Sequence, residues 1–209
     1  MKTIAFIDYA NVKAWAANRK LFVNLKRLSQ ILQEQKTSLI LFYYGTDNNV
    51  ASLNFLNKLK SFNLTVVTKP VQYFHVDLIS LFQKPINQKI LLHINPQIRS
   101  QFLKEIKRLS KQKLVCLLPK ANFDVEITMD MLKQKNNFDK FVLFSGDGDF
   151  ANLIADLKKA GKTIIVIAGR KFLSGKLIKE ASSFVTLERF MQRNKNVFYK
   201  ANPSTKRGT

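Results

Sequence analysis

Apolar runs and amphipathic stretches alternate along this chain almost from its first residue. Residues 3–8 (TIAFID) form a short apolar run that ends in an acid. Leu25, Leu28, Ile31 and Leu32 then recur at helical spacing, and 38–45 (SLILFYYG) reads as a buried strand closed by Gly45. Leu53, Leu56, Leu59 and Phe62 mark another amphipathic helix before the strand-like LTVV. After a less regular stretch the alternation resumes, with KILLHI (89–94) as a strand, 97–112 as a helix and KLVCLLP (113–119) as a strand. The pattern predicts a helix over 124–134, a strand over 141–144 and a helix over 150–160 that Gly161 stops. TIIVIAG (163–169) is a last parallel-type strand, and 176–181 a further helix.

Strands that alternate with helices of this length predict an α/β fold, a mostly parallel sheet with helices on both faces. In such sheets the ligand site lies beyond the carboxyl ends of the strands. The chain has no internal repeat, and 209 residues suffice for one ordinary domain with a full core. No window of about eighteen residues is apolar enough to span a membrane, and the N-terminus lacks the charge and apolar pattern of a signal peptide. The lone Cys116, inside LVCLL, is expected to be a buried structural thiol, which suits a reducing cytoplasm.

Charge narrows the function. Thirty-five Lys and Arg against fourteen Asp and Glu give a net charge of +21, which points to a polyanionic partner, nucleic acid first. A purely compositional bias toward Lys would raise Glu as well, yet Glu stays scarce.

Against that background, five of the few acids fall in three short places: Asp8, then Asp124 and Asp130, then Asp147 and Asp149. Asp8 ends the first strand and Asp147 follows the apolar FVLF, so both carboxylates are expected in one crevice. The small Ser145, Gly146 and Gly148 let the backbone turn tightly in SGDGDF. Asp149 alone is as readily an N-cap, but that reading does not explain Asp147. Asp124 and Asp130 stand six apart, about 240° around a helix, so only one is expected to face the crevice. Asp124, at the helix start, is the better candidate, with Thr128 one turn on to orient it. Hard divalent cations take such oxygen ligands, and a cation held there can activate water and stabilise a leaving oxygen.

Other chemistries fit less well. Neither His75 nor His93 lies in a motif, which argues against a histidine base. The glycine spacing of SGDGDF is not that of a dinucleotide loop. A haloacid-dehalogenase phosphatase needs a second acid two residues after Asp8, where Ala10 stands. Trp15 is either a base-stacking ring or an edge of the core.

At these residues the chain resembles the NYN domain, the LabA-like branch of the PIN-like nuclease superfamily. FIDYANV carries Asp8 and Asn11, KANFDVEITMDML supplies Lys120, Asp124 and Asp130, and SGDGDFANLI is followed by GKTIIVIAG. The resemblance covers 1 to about 72 and 118 to 190. It implies a three-layer α/β/α PIN-like fold and a Mg²⁺- or Mn²⁺-dependent ribonuclease, an endonuclease acting on RNA. Asp8, Asp124, Asp147 and Asp149 would be metal ligands, direct or through water, and Asn11 would orient a ligand, a water or the scissile phosphate. Ser145, Thr128 and Asp130 would support them. PIN-like domains are often dimers, so a homodimer is also within the implication.

The chain departs from the family at Tyr9, where a small residue is common, and at Asn122 and Phe123. The expected organisation is a nuclease domain over 1–192, an inserted α/β segment at about 73–119, and a basic flexible tail over 193–209. The insertion carries a basic helix with Arg99, Lys104, Lys107, Arg108 and Lys111, either a solvated face or an RNA-binding element alongside Lys120. Two alternatives stay open: a catalytically weak RNA-binding or regulatory protein, and a DNA-directed PIN-like nuclease.

Overall fold

A computed structural model describes residues 1–77, 92–93, 95–110 and 115–200. The chain divides into two compact units, 1–70 together with 122 onward, and Val71–Ala121.

The first unit begins with β1 (Thr3–Asp8), α1 (Tyr9–Asn18), β2 (Phe22–Val23), α2 (Leu25–Glu34), β3 (Thr37–Thr46), α3 (Val50–Leu59) and β4 (Thr65–Pro70). The second unit holds β5 (Gln72–Asp77), α4 (Pro96–Ser110) and β6 (Val115–Lys120). The first unit then continues with α5 (Asp124–Lys133), β7 (Lys140–Phe144), α6 (Ala151–Lys159), β8 (Thr163–Ala168), α7 (Gly175–Glu180), β9 (Ser183–Thr186), α8 (Leu187–Arg193) and β10 (Phe198–Tyr199). Single 3-10 turns at Gly148–Phe150 and Arg170–Phe172 follow β7 and β8.

Six strands form one parallel sheet in the order β4-β3-β1-β7-β8-β9. The chain leaves β1 toward β3 and β4, then returns to build β7, β8 and β9 on the other side. The strand order therefore reverses between β1 and β7, where open α/β sheets bind ligands.

β1 is the central strand and all six of its residues are buried. Alternation sends Ala5 and Ile7 into one core, with Val12 and Trp15 of α1, Leu28 and Leu32 of α2, and Phe190 of α8. Ile4 and Phe6 point the opposite way. There Phe6 stacks on Phe141 at 5.9 Å, and Tyr43 of β3 packs against Phe123 at 5.7 Å. Ile127 and Met131 of α5 and Ile154 and Leu157 of α6 are also buried. The result is the expected α/β sheet with helices on both faces.

Local chemistry sets the ends of the helices. Asn24, Asn49 and Thr186 cap α2, α3 and α8 through their side chains. Past α6, Gly161 takes φ 77°, its N–H bonds the Lys158 carbonyl, and the Lys162 N–H bonds that of Leu157. This is a Schellman stop at the predicted residue.

Several expectations need correction. β5 pairs antiparallel with β6, from Gln72↔Lys120 to Asp77↔Val115, whereas the sequence pattern shows no strand there. Of KILLHI only Leu92 and His93 are described, and neither lies in a strand; the other four residues lie outside the described ones, as does Lys111. Cys116 is half-buried rather than buried, on β6, with its thiol donating to the Val76 carbonyl at 3.4 Å.

The tail is docked beyond residue 193. Val197 is fully buried, its carbonyl accepts from the Asn24 N–H at 2.7 Å, and β10 pairs antiparallel with β2. Three consecutive apolar residues, Val197 to Tyr199, suffice to anchor a stretch whose average is polar and basic. Residues 201–209 lie outside the described ones.

Candidate metal centre

The site forms where β1 and β7 end side by side, Ile7 paired with Phe144. Asp8, the last residue of β1, is the N-cap of α1 and accepts from the Asn11 N–H at 3.3 Å. The Asn11 side-chain amide donates to its other oxygen at 2.5 Å, and Ser145 Oγ donates to that same oxygen at 3.5 Å. Only 7% of Asp8 is exposed. Burial is the main cause that raises its pKa; the Asn11 hydrogen bonds oppose this, and the nearby Asp124 charge adds to it.

Ser145 is fully buried and serves both strands, because its Oγ also accepts from the Asp147 N–H at 3.3 Å. Asp147 in turn accepts from the Asp149 N–H at 3.0 Å and caps the short 3-10 turn. Asp124 opens α5, where the helix N-terminus favours an anion. Asn122 holds it from both sides: its amide donates to Asp124 Oδ2 at 2.6 Å, and its carbonyl accepts from the Asp124 N–H at 3.2 Å.

Asp124, Asp147 and Asp149 each offer a carboxylate oxygen, and these oxygens all lie within 4.8 Å of one another. Three anions so close repel unless a cation lies among them. The donor set, all carboxylate with no thiolate or imidazole, fits a hard divalent ion such as Mg²⁺ or Mn²⁺. Asp8, expected as a ligand, is not one of this trio; it is linked to Asp147 through Ser145 and to Asp124 through its charge.

The SGDGD loop is clasped by the segment after β8. The Ser174 N–H donates to the Gly146 carbonyl at 3.1 Å. A Cβ on Gly146 would come within 2.2 Å of the Phe172 carbonyl oxygen, and one on Gly148 within 2.6 Å of Ser174 Oγ. At Gly146, where the contact is with backbone, glycine is required by this close approach and not only by the turn.

The remaining predicted residues take other places. Asp130 lies outside the trio: it accepts from the Tyr43 hydroxyl at 3.0 Å and pairs with Lys133 at 3.7 Å. Burial first, then the Asp130 charge and hydrogen bond, push the Tyr43 phenol up, so it stays a donor. Thr128 is half-buried one turn after Asp124. Lys120 is exposed at the end of β6, and Arg99, Lys104, Lys107 and Arg108 lie on α4, Arg108 paired with Glu105. Trp15 is a core residue, 1% exposed, against Gly169. Tyr9 is half-buried among Phe42, Phe55 and Tyr44, at ring distances of 5.0, 5.4 and 6.0 Å.

Sequence reading missed Asn122 and Ser174 as supports, and the Lys69–Glu126 pair at 2.8 Å that ties β4 to α5. Burial works to raise the Glu126 pKa, but the hydrogen bond and charge of Lys69 outweigh it and hold the carboxyl low. An Asn two residues before a helix-opening Asp was the one available signal, since Asx turns form at that spacing.

No helix of the described residues is long and apolar enough to cross a membrane. Over 92 residues the chain is 32% identical to Low amplitude and bright protein LabA of Synechococcus elongatus, a match covering 44% of this chain and 48% of that protein. The chain thus spans about half the length of the curated relative it matches. A solved structure of a protein of unknown function from Vibrio parahaemolyticus shares the fold, with a TM-score of 0.61 at 18% identity over 89% of this chain and 92% of that one. The NYN domain family model matches residues 2–188. The chain therefore belongs to the NYN domain family, within the PIN-like nucleases.

Proposed function

We propose that this protein is a Mg²⁺- or Mn²⁺-dependent endoribonuclease whose centre is built from Asp8, Asp124, Asp147 and Asp149. The observation that carries this reading is the convergence of Asp124, Asp147 and Asp149 within 4.8 Å beside the buried Asp8, in a chain of net charge +21. Lys and Arg gather the polyanion, and the acids are the residues that would hold the ion. A divalent cation held by these carboxylates would supply Lewis-acid charge to a bound phosphate and lower the pKa of a bound water.

The protein groups have separate tasks. Asp124, Asp147 and Asp149 supply the direct ligands. Asp8 supports the centre from behind or through water, with Asn11 and Ser145 fixing its rotamer. Asn11 is also placed to orient a water or the phosphate. Asn122 holds Asp124, and Asp130 fixes Tyr43. Arg99, Lys104, Lys107 and Arg108 of α4, with Lys120, contribute phosphate contacts that carry no sequence information.

The test uses labelled single-stranded RNA and DNA of one sequence, incubated with the purified protein and Mg²⁺ or Mn²⁺. RNA should be cut internally, EDTA should stop the reaction, and Asp147→Asn should lower the rate at least a hundredfold. Cutting of DNA alone would replace the substrate. Binding of RNA without cleavage would leave the regulatory alternative, and an Asp147→Asn variant as active as the parent would refute the site.

A further inference from the structure

Trp15 is packed in the core, 1% exposed, yet its indole N–H has no acceptor among the described residues. Leaving a buried donor unpaired costs about 1–3 kcal/mol. The ring lines a cavity of about 240 Å³ beyond the carboxyl end of β8. Gly169 leaves it that seat, since a Cβ there would come within 3.3 Å of the indole. Glu188, in the first turn of α8, lines the same cavity. Its Oε1 accepts from Arg19, whereas its Oε2 is buried and has no donor. Only three buried side-chain polar atoms lack a partner among the described residues, and two of them belong to this one lining.

The turn after β8 completes the wall. Arg170 and Lys171 line the cavity and have no ion pair among the described residues. Phe172 beside them is 38% exposed and offers an aromatic ring. The cavity thus presents one hydrogen donor, one carboxylate oxygen, two cations and a π face. Its volume is several times the roughly 30 Å³ that one water takes. It lies just under the about 300 Å³ at which small-ligand pockets begin.

These groups select among small ligands. A simple anion satisfies the cations and the indole but is repelled by the Glu188 oxygen. A nucleobase carries a hydrogen donor next to an acceptor on its pairing edge, N1–H beside O6 in guanine or N3–H beside O4 in uracil, and a face that stacks on aromatic rings. Its 5′-phosphate adds the anion. We infer that this cavity is a binding site for a free ribonucleoside 5′-monophosphate. The Trp15 N–H and Glu188 Oε2 take the base edge, Phe172 takes its face, and Arg170 and Lys171 take the phosphate. None of Asp8, Asp124, Asp147 and Asp149 lines the cavity, so the site is separate from the carboxylate centre. It adjoins that centre's scaffold, because the Phe172 carbonyl is what leaves no room for a Cβ on Gly146.

The test is proton–nitrogen NMR of the full chain in EDTA, where no metal ion can hold a phosphate at the carboxylates. Trp15 is the single Trp of the chain, so one indole N–H peak reports on this cavity. Titration with the ribonucleoside 5′-monophosphates in turn should move that peak saturably with at least one of them, and inorganic phosphate should not. Replacing Arg170 and Lys171 together by Ala should weaken the binding by roughly tenfold or more. Both residues are exposed, so this variant does not depend on how α8 packs. Glu188→Gln tests the sign. Nucleotides gathered by net charge alone would bind this variant more tightly, because an acid is gone; the assigned site should bind them roughly tenfold more weakly or worse. Thermal melts check that both variants fold. The assignment is overturned by a peak that no mononucleotide moves, by one that inorganic phosphate moves equally or only an oligonucleotide moves, or by tighter binding to Glu188→Gln. RNA cleavage in Mg²⁺ is assayed separately, so this site can fail while the nuclease reading survives, and the reverse.

Discussion

Asp8 is held by donors on both oxygens and is still harder to ionise than an exposed aspartate, because burial outweighs the Asn11 hydrogen bonds. The sign of the linkage follows. A carboxyl whose folded pKa is raised binds its proton more tightly in the folded state. In the metal-free protein, stability therefore falls as pH rises from the ordinary value of 3.8 through the raised one. Asp8→Asn keeps a good N-cap and removes the buried charge. In EDTA this variant should melt higher than the parent at neutral pH, and the two should converge below pH 3.8. Mg²⁺ should raise the parent's melting temperature more than the variant's, which keeps the three direct ligands; a parent that melts higher in EDTA at neutral pH would contradict this account. Asp8 and Asp147 were legible in the sequence because one ends an apolar strand and the other closely follows one. Ser145 was read as a support, but Asn122 and Ser174 were not, since which atoms a small polar side chain bonds depends on how separate segments meet.

The loop after β7 and the segment after β8 act as one element. Gly146 lies against backbone, the Phe172 carbonyl, so an added methyl cannot be relieved by a side-chain rotation. Gly146→Ala should cost about 1–3 kcal/mol of stability, as overpacking does, and should reduce cleavage far more than stability. Gly161 provides the comparison. It sits at positive φ with open space around it, so Gly161→Ala should cost about 1 kcal/mol and leave cleavage intact. Urea melts and initial rates on the two variants would separate site geometry from global stability. At this scale the sequence read well wherever periodicity was strong, as in β1, α2, β8 and the Gly161 stop. It read poorly in β5, whose residues are mostly exposed and do not alternate, and in Val197 to Tyr199, whose burial depends on β2 far earlier in the chain.

For the whole molecule the dominant property is the charge of +21, within which three carboxylates converge at one place. Lys and Arg dispersed over the surface bind phosphates without reading sequence, so RNA affinity should fall steeply with salt. Replacing Lys104 and Lys107 of α4 by Ala should lower affinity for all RNA sequences alike and flatten that salt dependence. An unchanged slope in a filter-binding titration would return α4 to a solvated face. Charge was legible from composition alone; which charges meet was not, because Arg19 and Glu188, like Lys69 and Glu126, are far apart in the chain. The central claim is that the carboxylates hold a divalent ion, and its most direct test is anomalous diffraction from a crystal grown with Mn²⁺. The account predicts a peak among Asp124, Asp147 and Asp149, with Asp8 behind it, that disappears in Asp147→Asn. A well-ordered trio with no peak, or a peak bound only elsewhere, would contradict it.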